Sequence, residues 1–237
     1  MTPPPFHIVF ALFPGLTHLD FTGPHAFLSR IPGAQVHVAS LDGGELEAEG
    51  SLVFGRTERL ADVPACDLLC VPGGVNATEA ALVEPYIAQV RRLGLSARYV
   101  TSVCTGSLIL GAAGLLEGKR AACHWTSRHL LPLFGAIPDP ARVVRDGHVI
   151  TGGGVTAGID VALTVLAEVA GNDFAQTVQL GMEYAPAPPF DAGRPETAPP
   201  GVLDPYMDRL GGFLSRSEAE ARQAAARLGR RGEGTVV

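Results

Sequence analysis

The sequence predicts an α/β domain built on a mostly parallel sheet with helices on both faces. Two features of the pattern lead there. Short, unbroken apolar runs end at glycine or proline turns, as strands buried on both faces do. Helical patterns separate these runs, so strand and helix alternate, and no internal repeat interrupts the alternation.

His7 to Leu12 is the first such run and meets the Pro14-Gly15 turn. Leu19 to Ile31 carries a helical apolar pattern, in which Gly23-Pro24 is expected to kink or restart the helix, because proline lacks an N–H and collides with the preceding turn. Gln35 to Leu41 reads as a strand. A Gly- and Glu-rich turn and a brief strand around Leu52 to Phe54 come next. Asp67 to Pro72 is a buried strand that stops at Gly73-Gly74. A helix over Pro85 to Leu93 precedes the strand Arg98 to Val103, which runs directly into Cys104-Thr105-Gly106 and a further helix reaching Ala113. Val143 to Ile150 is broken by Asp146-Gly147, a pair that favours a type I′ hairpin turn between apolar β-formers. Helices start at Thr156 and Asp173. The apolar run Val155 to Ala170 contains Asp160 and Glu168 and is too short to cross a bilayer, so it reads as a buried helix. Tyr184 to Pro200 is proline-rich and irregular, and an amphipathic helix from Leu203 to Leu228 follows. Residues 1–237 are read as a single domain.

Composition narrows the function. With 46% hydrophobic and 18% charged residues the chain is not a disordered one. A net charge of -6, with no basic run before the last helix, offers no footprint for phosphate backbones or anionic lipid. Neither nucleic acid nor a membrane is expected as a partner. The opening Met-Thr-Pro-Pro-Pro lacks the basic and then apolar order of a secretory signal, so a cytoplasmic location is expected. In that setting the four cysteines read as reduced thiols. Cys66-x-x-x-Cys70 and Cys123-His124 are too sparse for a zinc site, and no metal is expected.

Sheets of this kind bind ligands outside the carboxyl ends of their strands. Three strand ends carry unusual residues: Pro14 to Asp20, Pro72 to Asn76, and Cys104 to Ser107. A thiol attacks as the thiolate, and with a pKa near 8.5 only about 3% is ionised at pH 7. Cys104 sits where a strand turns into a helix, and the positive helix end with its free N–H groups is expected to lower that pKa. The alternative is a small buried hydrophobe, which is the reading for Cys66, Cys70 and Cys123. Asp20, three residues after Thr17, fits either a capping box or a carboxyl group facing the cysteine across adjacent strand ends, where it can move a proton. Gly73 and Gly74 end a strand and offer backbone N–H groups to a developing negative charge, or form a plain turn. Gly152-Gly153-Gly154 with Gly158 is a weak dinucleotide signal that follows a hairpin and lacks the later acidic residue. It reads better as close packing near Cys104, and no cofactor is expected. His124 and His129 read as packing and surface residues, while Phe21, Phe27 and Trp125 are candidates to shape an apolar pocket.

Leu19-Asp-Phe-Thr-Gly-Pro24, Val71-Pro-Gly-Gly74, Thr101-Ser-Val-Cys-Thr-Gly-Ser107, His124-Trp125 and Thr151-Gly-Gly-Gly-Val-Thr-Ala-Gly-Ile-Asp160 together resemble the DJ-1/PfpI superfamily. Its fold is the flavodoxin-like, class I glutamine-amidotransferase-like one. Glu183-Tyr-Ala-Pro-Ala-Pro-Pro-Phe190 and Ala192-Gly-Arg-Pro195 make the isocyanide-hydrating branch the most similar. The resemblance implies Cys104 as nucleophile, Asp20 as its acid/base partner and Thr105 as a positioning residue. It further implies a small isocyanide substrate, no cofactor and a homodimer. Protease- and deglycase-type relatives place a histidine after the cysteine; Thr105 stands there instead, which weakens a Cys-His hydrolase reading, and a hydrolase or glyoxalase-like activity on small carbonyl compounds is the enzyme alternative. AraC-type regulators share the Cys104-Thr105-Gly106 and His124-Trp125 segments, so these do not separate an enzyme from a ligand sensor. After Pro200 a single helix is expected, without a paired helix-turn-helix.

Overall fold

The structure is a computed structural model and describes residues 5–233. Its elements run β1 (Phe6–Leu12), α1 (His18–Leu28), β2 (Ala34–Ser40), β3 (Gly44–Glu47), β4 (Val53–Arg59), β5 (Leu68–Val71), α2 (Ala77–Ala80), α3 (Glu84–Ser96), β6 (Tyr99–Ser102) and α4 (Gly106–Ala112). Then come β7 (Arg120–Ala121), a 3-10 helix (Arg128–Phe134), β8 (Ile137–Pro138), β9 (Val143–Asp146), β10 (Val149–Gly152), α5 (Ala157–Ala170), α6 (Asn172–Gly181) and α7 (Pro200–Glu233).

Eight strands form one sheet in the order β3-β4-β2-β1-β5-β6-β10-β9, and β7 pairs with β8 apart from it. The four central strands β2, β1, β5 and β6 are parallel, as is the pairing of β6 with β10. Their burial explains their composition: Ile8 to Leu12 and Leu68 to Val71 are fully enclosed, so every position must be apolar or satisfied internally. Tyr86 on α3 shows the second route, donating its buried hydroxyl to the Ala11 carbonyl at 2.8 Å. Helices α1 and α5 pack together over one face, with α6 behind α5; α2, α3, α4 and α7 are associated on the other. From β1 the chain moves outward to β2 and then returns to β5 on the opposite side, so the order reverses between β1 and β5. The crevice beyond their carboxyl ends is where such a sheet holds its ligand.

Several local expectations are corrected. Helix α1 runs unbroken through Pro24. The ring is buried, and Gly158 on α5 leaves room for it, since a methyl group at Gly158 would lie 3.0 Å from Pro24 Cδ. Tertiary packing thus holds a helix that local propensity disfavours. The Gly- and Glu-rich turn contains strand β3, and the brief strand after it extends to Arg59. The hairpin turn is centred on Gly147-His148, and Gly147 alone has a positive φ (65°), the type II′ rather than the I′ pattern. The last helix is one continuous element that starts at Pro200, three residues earlier than expected. Residues 184–199 have no strand or helix, as their prolines require.

Helix α4 starts against the end of β5 at very short range. A methyl group at Gly106 would collide with the carbonyl oxygens of Val71 and Pro72. Gly106→Ala should therefore lower the unfolding free energy by about 2 kcal/mol or more through overpacking. Gly211→Ala, in the open middle of α7 with nothing within 4 Å, should raise it by up to about 1 kcal/mol. Urea unfolding of the two variants measures the contrast.

Candidate active site

The chain leaves β6 through Val103, whose N–H donates to the Val71 carbonyl at 3.1 Å. Cys104 then adopts φ 59°, a left-handed conformation that a side chain disfavours and that often marks a functional site. Its own N–H holds it there, donating to the carbonyls of Gly152 (3.2 Å) and Gly153 (2.7 Å) at the end of β10. Thr105 caps α4, and Gly106 N–H closes the turn on the Val103 carbonyl at 2.9 Å. The sulfur is faced by the backbone amides of Thr105 and Val155, both of which favour its anion. Cys104 is 5% exposed.

Asp20 is fully buried. Thr17 does not cap α1 with its side chain; its hydroxyl donates instead to Glu49 Oε2 at 2.7 Å. This removes the capping box as the explanation for Asp20. One carboxyl oxygen accepts from Gly73 N–H at 2.9 Å, while the other has no hydrogen bond of good geometry, and the carboxyl group interacts with the Cys104 thiol. Gly74 N–H donates to Thr105 Oγ1 at 2.9 Å, and that hydroxyl donates back to the Gly74 carbonyl at 3.0 Å. The two glycine amides are thus committed inside the protein, fixing Asp20 and Thr105, rather than free for a bound anion. Glycine is required at 73 because a methyl group there would strike Thr105 and Asp20.

Burial dominates the electrostatics. It lifts the Asp20 carboxyl to about 7, against the lowering effects of Gly73 N–H and of Cys104. Burial and then the neighbouring Asp20 charge push the Cys104 thiol well above its ordinary range, and the Thr105 and Val155 amides offset this only in part. The expectation that the helix end lowers the thiol pKa is therefore corrected. Helix α4 is only seven residues long and the thiol is almost fully desolvated. Burial thus disfavours the charged form of both neighbours, the thiol and the carboxyl, and Cys104 is not a standing thiolate.

Beside this pair lies a cavity of about 420 Å³. Cys123, His124 and Trp125 line it, together with Gly153, Gly154 and Val155. Gly153 and Val155 also touch Cys104, so the cavity and the cysteine turn share these two residues. Of the three aromatic candidates Trp125 lines this cavity, and the triple-glycine run is the close packing expected near Cys104. His124 is the residue undervalued: burial lowers its pKa, and its Nδ1 lies 2.7 Å from Thr126 Oγ1. Residues 193–197 of the proline-rich segment supply another wall. Phe21 and Phe27 lie elsewhere. Phe21 packs on Phe10, His25 and Phe54 in the core, and Phe27 stacks edge-on against Tyr184 at 5.9 Å.

A doubly wound sheet with a cysteine on the tight turn after a central strand, faced by a carboxyl from the first helix, defines the class, and the chain belongs to the DJ-1/PfpI family, whose model matches residues 7–168. Within it, the chain is 49% identical to the isonitrile hydratase of Pseudomonas putida over 221 residues, 93% of this chain and 97% of that protein. A crystal structure of a THiJ/PfpI family protein from Pseudomonas syringae superposes with a TM-score of 0.89 at 38% identity, covering 93% of this chain and 92% of that one. The transcriptional regulator CdhR of Pseudomonas aeruginosa is 30% identical over 71% of this chain and 52% of its own length.

The raised carboxyl sets a pH signature. Asp20 has an ordinary value of 3.8 and titrates at about 7 in the folded protein, so between these values the folded state holds a proton that the unfolded chain has released. Its contribution to stability accordingly falls as pH rises from about 4 to about 7, by up to about 1.4 kcal/mol for each pH unit crossed. Asp20→Asn should remove that fall. Unfolding free energies of both proteins across this range test it; a difference that does not vary with pH would place the carboxyl in a solvated setting.

Proposed function

We propose that the protein is an isocyanide hydratase, converting R–N≡C and water to the N-substituted formamide R–NH–CHO. The observation that carries this reading is the Asp20 carboxyl buried against the Cys104 thiol, in a chain that aligns along 93% of its length with an isonitrile hydratase. The isocyano head is linear and two atoms long, which suits a thiol as little exposed as that of Cys104. The apolar faces of Trp125 and the glycine wall suit R.

In the first half-reaction the Cys104 sulfur bonds to the terminal carbon and that carbon gains the proton shared by the pair, giving the thioimidate R–N=CH–S. Water then adds to the C=N carbon. One of its protons passes through the Asp20 carboxylate to nitrogen, and the C–O bond forms. Collapse to the C=O group breaks the C–S bond, and sulfur recovers the remaining proton. Covalent catalysis divides one difficult addition into two easier ones. A carboxyl group titrating near 7 is suited to both giving and taking a proton at neutral pH. The Thr105 and Val155 amides stabilise sulfur whenever it carries negative charge, and Thr105 Oγ1 holds the turn in place. The exposed apolar side chains Leu180, Phe190 and Val202 support a homodimer as the working form.

A second reading, a ligand sensor without turnover, rests on the similarity to CdhR over 71% of the chain. Saturable isocyanide binding by freshly reduced protein with no formamide produced would favour it. A faster reaction with methylglyoxal than with any isocyanide would instead favour a glyoxalase.

Cys104→Ala should abolish formamide formation while leaving the melting temperature close to that of the wild type. Asp20→Asn should lower turnover at saturating isocyanide by about a hundredfold or more, in line with usual acid/base contributions. Product formation followed by NMR checks both. Near-wild-type turnover by Asp20→Asn would remove that carboxyl from the mechanism.

A further inference from the structure

Three arginines line the cavity beside Cys104: Arg128 at the start of the 3-10 helix, Arg142 just before β9, and Arg194 in the proline-rich segment. Such a concentration is unexpected in a chain of net charge -6. Arg142 is already occupied, donating to Asp160 at 2.6 Å and to Thr156 Oγ1 at 3.2 Å. Arg128 and Arg194 make no side-chain hydrogen bond or close ion pair among the described residues; Arg128 feels the charge of Asp139, but that carboxylate is already gripped by Arg120. Glu196 is the acidic residue in the lining. Counting Arg120, four guanidinium charges set against the carboxylates of Asp139, Asp160 and Glu196 leave one positive charge, which a single anionic group would neutralise.

Resting on the isocyanide reading above, we propose that the substrate carries a carboxylate on R, held between Arg128 and Arg194 while the isocyano carbon faces Cys104. Guanidinium groups recognise carboxylates through paired, charge-assisted hydrogen bonds. A positive cavity on an acidic protein also concentrates an anionic ligand where the chemistry takes place. The wall of apolar and glycine residues leaves space for a side chain besides the carboxylate. The reaction is unchanged in its balance: an isocyano acid plus water gives the corresponding N-formyl amino acid. The preceding step must then be one that builds an isocyano group on an amino acid nitrogen.

The test compares isocyanoacetate and 3-isocyanopropanoate with their methyl esters, which keep the isocyano group and lose the charge. The kcat/KM of an acid should exceed that of its ester by about tenfold or more, and the ratio should shrink as salt screens the charges. Arg128→Gln and Arg194→Gln should each reduce the acid-to-ester ratio, mainly through KM for the acid. Arg216→Gln, on α7 beside Phe213 and outside the cavity, should leave it unchanged. Esters turned over as well as the acids, or a ratio that neither cavity variant moves, would overturn the carboxylate assignment and leave isocyanide hydration standing. No turnover of acids or esters would overturn both.

Discussion

The site depends on one backbone constraint, the left-handed conformation of Cys104. A side chain in that region costs on the order of 1–3 kcal/mol and persists only where the surroundings over-determine it. Here the surroundings are the carbonyls of Gly152 and Gly153, which both accept the Cys104 N–H, and the contact of α4 with the end of β5 that Gly106 permits. Three strands therefore converge on one residue. Their packing is the framework of the domain, so the strained turn draws its stability from the whole sheet.

Around that turn, polar atoms are paired off with little left over. Gly73 N–H holds Asp20, Gly74 holds Thr105 through both its N–H and its carbonyl, and the remaining Asp20 oxygen is without a hydrogen bond among the described residues. A buried carboxyl with a single good donor is costly as an anion, and this is why its pKa rises. The same burial raises the thiol. The Asp20 charge beside it makes the thiol harder still to ionise.

Much of this was legible in the sequence, for identifiable reasons. Strands buried on both faces leave continuous apolar runs, so β1, β5 and β6 could be read directly, and with them the strand ends where Asp20, Gly73 and Cys104 meet. Strand β3 was hidden because only Leu46 among its four residues is buried, and two of the other three are glutamates. Unbroken α1 could not be foreseen, since the room for Pro24 is made by Gly158, far away in sequence. The direction of the thiol pKa was missed because a helix terminus is visible locally and desolvation is not. Trp125, Phe21 and Phe27 were not separable by sequence, because an aromatic residue fits a core and a pocket equally well.

Tyr184 reaches across to Asp160 on α5, with its hydroxyl 3.2 Å from Oδ1, and Asp160 in turn grips Arg142. The proline-rich segment that begins there walls the cavity but contributes no strand or helix to the sheet. One wall of the cavity and the cysteine turn are consequently carried by different stretches of chain, joined through a small polar clasp. Mutational drift in the segment can remodel that wall while the strand ends that hold Cys104 and Asp20 stay untouched, so a lineage with this architecture can vary its cavity without disturbing the buried pair.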